Sequence, residues 1–326
     1  ARVQTAYNNG IYVGVMLFQG WSISEKPGEP GNPWPGHPFN SNNNVNGING
    51  DPSGTGQGLA VHTISTTDPN IMAVNALQEA YIRKVVDTLD GFDNVLYEIS
   101  NEDSYSSADV AWQYAMINYL KNYEATKAKH HPVGMTALLS DSSLFSSPAD
   151  WVSPNANYSL SGTAAATGNK VVLTDTDHIY GQGGDASWIW ESFTKGTNPI
   201  YMDSGNLPNG YNSTEDSARL AMGEVLAYSR RMDMNADVPR GDVVSTGYGL
   251  ANPGYEYLAF QPSSNTAFTV NMLAGTYSYE WLNVGTNTVS TGTVTVGAGN
   301  HSFTPPILRI RRSLSEQHDK WREGRR

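Results

Sequence analysis

Residues 11–19, Ile-Tyr-Val-Gly-Val-Met-Leu-Phe-Gln, form a nearly continuous apolar run rich in β-formers. A strand with one face in water alternates apolar and polar residues; an unbroken run needs cover on both faces, as a parallel strand flanked by helices has. A second run of this kind, Asn-Val-Leu-Tyr-Glu-Ile-Ser, fills 94–100. Between the two, residues 71–90 space apolar side chains at Val74, Leu77, Tyr81 and Val85, the stripe of an amphipathic helix. Strand, helix and strand in this order build a parallel sheet.

The alternation continues down the chain. A helix over 107–129 carries Trp112, Met116, Tyr119, Leu120 and Tyr123 on one side. Strands are expected at 131–137, 150–153, 170–177 and 199–203, and helices at 185–195 and roughly 214–232. The first ten residues read as the last turns of a helix closed by Gly10 at the C-cap position, so the chain is expected to open in mid-helix. From Gly20 to about Asn70 runs a segment full of Asn, Gly and Pro, with Trp21, Trp34, His37, Phe39 and His62 scattered through it. Loops of this length usually carry function or lack order.

After residue 232 the pattern changes. Short runs at 243–249, 256–261, 266–271, 277–283 and 288–296, separated by Gly, Asn and Pro, are the signature of an all-β sandwich. Asp233, Asn235, Asp237, Pro239 and Gly241 make a linker before it. The expected domains are therefore a partial (β/α) barrel over 1–236 and a β-sandwich over 237–306. Residues 307–326 hold seven Lys or Arg against three Asp or Glu, in a chain whose totals are 20 and 31. Such a break in composition marks a basic tail, non-native or disordered, and it is excluded from functional reasoning.

A chain of 326 residues has room for one barrel-sized α/β domain plus a small one. Hydrophobic content of 39% supports a core, and 8 Trp with 18 Tyr leave aromatic rings over for the surface. The net charge of -11 argues against nucleic acid or an anionic membrane as partner, since a phosphate surface is bound through clustered Lys and Arg. No apolar run is long enough for a transmembrane helix. The absence of cysteine removes disulfides, thiolate nucleophiles and Cys-based zinc sites together. Richness in Gly, Asn, Ser, Thr and Tyr with little Lys suggests a secreted or periplasmic bacterial protein, with no signal pattern at the start of the chain.

The run at 94–100 is followed by Asn101-Glu102, and there the chain resembles the fourth barrel strand of the clan A retaining glycoside hydrolases, which ends in Asn-Glu. The resemblance implies a TIM (β/α)8-type barrel, with Glu102 as general acid/base and Asn101 as ligand of a sugar hydroxyl. Active sites of such barrels sit at the carboxyl ends of the strands, where these two residues fall. With 94–100 counted as the fourth strand, 11–19 is the third, 170–177 the seventh and 199–203 the eighth. The first two strands are then missing from this sequence. Residues 243–304, with Thr246-Gly-Tyr-Gly-Leu-Ala-Asn-Pro-Gly254 and Tyr279-Glu-Trp281, resemble the collagen-binding-type β-sandwich that follows such barrels in the apiosidase-like branch.

Glycoside cleavage needs a protonated carboxyl for the leaving oxygen and an ionised carboxylate on the other face of the sugar. The two lie about 5–5.5 Å apart in retaining enzymes and about 6.5–9.5 Å in inverting ones. The resemblance implies a Glu at the end of the seventh strand, but this chain offers Asp175 and Asp177, which share a face by the period of a strand. Asp177, nearer the carboxyl end, is preferred as nucleophile or base. Asp is shorter than Glu by roughly 1.5 Å of reach, and a misplacement of about 1 Å can cost about 10²-fold in rate.

His178 and Tyr180 follow the Asp pair, Asn155 follows the 150–153 strand, and Asp203 ends the last strand. These four, with Gln19, Trp21, Trp34 and His37, complete the candidate substrate contacts. Asp175, Asp177, His178 and Asp203 also permit a divalent metal site, but their spacing resembles no loop built for calcium, and neither metal nor cofactor is expected. The expected partner is an oligo- or polysaccharide of plant or microbial origin. A non-catalytic carbohydrate-binding protein on the same scaffold is the alternative, since fold does not fix function.

Overall fold

A computed structural model of the chain describes residues 1–24, 31–101, 103, 106–136, 141–154, 166, 168–176, 184–203, 213–263, 266–305 and 309–312, with 141, 213, 214 and 309–312 described by backbone alone. They form two compact units, 1–155 and 156–326. The fold is mixed α/β: parallel strands alternating with helices, then antiparallel sheets.

The first unit opens with α1 (Arg2–Asn8). Gly10 adopts the left-handed φ of +68, its N–H bonds to Tyr7 O and that of Ile11 to Ala6 O, closing the helix in a Schellman motif. Strand β1 (Val13–Gln19) follows, then α2 (Pro69–Leu89), β2 (Val95–Asn101), α3 (Ser107–Glu124), β3 (Val133–Thr136), the short α4 (Asp141–Phe145) and β4 (Trp151–Ser153). The four strands pair in chain order and all parallel. Val13 faces Val95 and Gln19 faces Asn101, so β1 and β2 end level.

Two expectations change here. In β1 only Leu17 is fully buried, and Met16 is exposed, because among the described residues of this unit β1 pairs on one side only. The buried face of α2 is Ile71, Val74, Gln78, Ile82 and Val86, while Leu77 and Tyr81 are exposed. The apolar stripe was displaced because two polar side chains, Asn75 and Gln78, are buried on the inner face.

The second unit begins with β5 (Val171–Asp175), α5 (Ala186–Thr194), β6 (Asn198–Ile200) and α6 (Ser213–Ser229). β5 and β6 are parallel, with Asp175 facing Ile200. The antiparallel part contains β7 (Val238–Pro239), β8 (Gly249–Asn252), β9 (Glu256–Ala259), β10 (Phe268–Met272), β11 (Gly275–Asn283), β12 (Thr288–Val296), β13 (Gly299–Phe303) and β14 (Arg309–Arg312). One sheet runs β12-β11-β14-β9-β8-β7 and a second pairs β10 with β13. Trp188, Trp190 and Phe193 of α5 and Val225 and Tyr228 of α6 share a core with Leu250, Leu258 and Leu282 of the six-stranded sheet.

Of residues 243–249, read as a strand, 243–248 are turns and irregular chain with one bridge from Val244 to Val270, and only Gly249 is in a strand, the start of β8. Residues 309–312, within the stretch read as a tail, form β14 between β11 and β9. The basic composition hid a strand whose backbone completes the sheet.

Candidate active site

The carboxyl ends of β1 and β2 lie side by side because the two strands are parallel and in register. Asn101 Nδ2 donates to Gln19 Oε1 at 3.3 Å, and the same oxygen accepts from the Trp21 N–H at 3.1 Å. Gln19 thereby fixes the Asn101 amide and begins the turn of residues 20–22, which carries the Trp21 ring at 37% exposure.

Trp34 is 4% exposed, packed with Ile23, Val61 and Val74. A Cβ on Gly58 would fall inside its indole, so this glycine is required by close approach. A ring so enclosed anchors the long loop and has little face left for a sugar. His37 stacks on Trp34 with centroids 5.1 Å apart, and its Nδ1 accepts from the Phe39 N–H at 3.1 Å. Burial, with His62 nearby, pulls the His37 pKa down to about 4. At neutral pH it is an uncharged imidazole whose remaining proton sits on Nε2.

Gln19, Ser22, His37, Phe39, His62 and Gln78 line a cavity of about 260 Å³ with the β1 residues Met16, Leu17 and Phe18. His62 is 3% exposed and lies against Asp103, 2% exposed and two residues beyond Asn101. Its Nδ1 meets Asp103 Oδ2 as an ion-pair contact lacking hydrogen-bond alignment, while Ser100 Oγ donates to the same oxygen at 3.1 Å. The His62 ring is stacked on Trp112 at 3.8 Å with planes 9° apart. Asp109, on the first turn of α3, has its pKa raised by burial and by Asp103. Neither His62 nor Asp103 was singled out from sequence. They lie far apart in the chain, and the only signal was an Asp directly after Asn101-Glu102.

Of the other sequence candidates, Asp175 is partly buried at the end of β5. Asp203 is clamped by Arg219, with Nε to Oδ2 at 2.8 Å and Nη2 to Oδ1 at 2.7 Å; this pairing holds the Arg219 guanidinium well above its ordinary range. Glu102, Asn155, Asp177, His178 and Tyr180 lie outside the described residues. Among the described residues no group of three or more His, Cys, Asp or Glu is arranged to hold a metal ion, and no helix is long and apolar enough to cross a membrane.

These elements define a mixed α/β fold of the TIM-barrel type, which solved structures share. A solved glycoside hydrolase superposes with a TM-score of 0.58 over 97% of this chain and 88% of its own, at 9% identity. A glycoside hydrolase family 5 protein from Bacteroides vulgatus ATCC 8482 superposes with the same score over 97% of this chain and 85% of its own, at 12% identity. In sequence, no protein-family model and no curated protein matches the chain.

Proposed function

We propose that this chain is a glycoside hydrolase acting on O-glycosidic bonds of plant or microbial polysaccharide. In this reading Glu102 is the acid/base, Asp177 the nucleophile or base with Asp175 two residues before it, and Asn101 a substrate ligand. The observation that carries the reading is the Asn101 amide at the carboxyl end of a parallel strand, fixed by Gln19 beside a cavity of about 260 Å³. The likeness of the fold to solved glycoside hydrolases over 97% of the chain supports it. A neutral His37 and two amide side chains, Gln19 and Gln78, offer uncharged polar groups suited to hydroxyls.

Hydrolysis of a panel of aryl glycosides and plant oligosaccharides tests the proposal. Glu102→Gln and Asp177→Asn should each lower kcat by about 10³-fold or more, because each removes a group that acts in the transition state. The expected Glu is absent from residues 170–178, and this favours a second reading, a sugar-binding protein without turnover. Saturable oligosaccharide binding with no hydrolysis by the wild-type chain would select that second reading.

A further inference from the structure

We propose that His62 and Asp103 are positioning residues: a buried imidazole–carboxylate pair that fastens the chain just beyond β2 and so holds Asn101 at the strand end. The effect expected on hydrolysis rests on the reading above; the fastening itself does not.

A carboxylate as enclosed as Asp103 is costly to bury unless its charge is met. His62 Nδ1 and the Ser100 hydroxyl both lie against it, and His62 is itself immobilised. Its ring lies flat on Trp112 of α3. Trp112 Nε1 donates to Gln78 Oε1 of α2 at 3.1 Å, and Gln78 Nε2 donates to the Val61 carbonyl at 2.9 Å, next to His62 in the chain. Asn75 Nδ2 also donates to Gln78 Oε1, at 3.2 Å, and to the Thr63 carbonyl on the other side of His62, at 2.9 Å.

The imidazole is therefore held by hydrogen bonds on both flanking residues and by a stacked ring. Phe18 of β1 packs edge-on against it at 6.2 Å. Through this assembly α2, α3 and the long loop all bear on one carboxylate, and that carboxylate is the residue following Glu102. Because His62 also lines the cavity beside Gln19 and His37, the fastening and the cavity wall are one structure. Buried polar residues on α2, which spoil its apolar stripe, are explained by the same arrangement.

The test uses the full chain with His62→Phe, which keeps a ring on Trp112 but sets no nitrogen against Asp103, His62→Gln, which keeps a polar group there, and Asp103→Asn. Asp68→Ala, which weakens the N-terminus of α2, is the control for general destabilisation. Backbone amide exchange of residues 99–103 is expected to quicken at least about tenfold in His62→Phe and Asp103→Asn relative to the control, with His62→Gln intermediate. On a hydrolysed glycoside, kcat should fall about 10- to 100-fold while KM moves little, and the double variant should lose no more than the worse single.

Exchange at 99–103 that matches the control overturns the proposal, whatever the kinetics. So does an unchanged kcat in a hydrolysing chain whose thermal midpoint alone has dropped. If the wild-type chain and Glu102→Gln are equally inert on every glycoside, the hydrolase reading falls, and amide exchange alone decides whether the pair fastens the strand end.

Discussion

Gly134 sits on β3 directly opposite Trp151, and a Cβ there would fall within the indole of that tryptophan. Neither strand can retreat without breaking its ladder, so Gly134→Ala is expected to destabilise the chain by about 1–3 kcal/mol, read from the urea midpoint at unchanged m. A different residue-scale constraint closes the far end of α3. His131 Nδ1 lies 2.6 Å from Glu124 Oε1 and its Nε2 2.6 Å from the Phe92 carbonyl, with both side chains buried. The His131 N–H donates to Glu124 Oε2 at 3.0 Å. His131→Ala leaves Glu124 Oε1 and the Phe92 carbonyl without their ring partner in a buried site and should cost about 3–5 kcal/mol in the same measurement, more than the glycine change.

These contacts show what the sequence could and could not disclose at this scale. The place of Asn101 at a strand end was legible because it ends an apolar run. His62 and Asp103 were not, since no periodicity links two residues that meet only when the loop folds back across α2 and α3.

At the scale of elements, the parallel strands and their helices were readable from their apolar runs, although in β1 only Leu17 is fully buried and in β2 burial nearly alternates, so the runs did not report cover on both faces. The phase of α2 was not, because its inner face uses Asn75 and Gln78, and hydrophobic spacing cannot register a buried amide. The junction between α6 and β7 carries a further buried polar group. Asp237 is 3% exposed, and its carboxyl is pushed up to about 7 by burial and by the neighbouring Glu256.

The folded chain thus keeps this proton up to about pH 7, whereas the unfolded chain releases it near 3.8. Between those values the native state binds more protons, so its stability falls as pH rises and levels off above about 7. Asp237→Asn should therefore gain stability over the wild type at pH 8, on the order of 2–4 kcal/mol, and gain little at pH 4. Urea unfolding of both proteins at the two pH values measures the difference. Equal gains at both would exclude Asp237 as the titrating group.

For the whole molecule, the order of elements carried the fold: strand and helix in alternation, then short strands broken by turns. What composition concealed was the role of the end of the chain, where Arg309–Arg312 form β14 with β11 on one side and β9 on the other. Glu280 pairs across from Arg309, and Arg311 across from Glu256. A central strand donates to and accepts from both neighbours, so its loss leaves two facing rows of amides and carbonyls unpaired inside one sheet. A chain ending at residue 305 should lose at least about 3 kcal/mol, counting about 1 kcal/mol for each ladder hydrogen bond forgone, and should self-associate through the exposed edges. A chain ending at residue 312 keeps β14 and should match the full-length protein. Thermal midpoints and sedimentation of the three lengths separate the cases: if both truncations match the full-length protein, the strand contributes nothing to the sheet, and if only the shorter one fails, residues 309–312 are structural despite their basic composition.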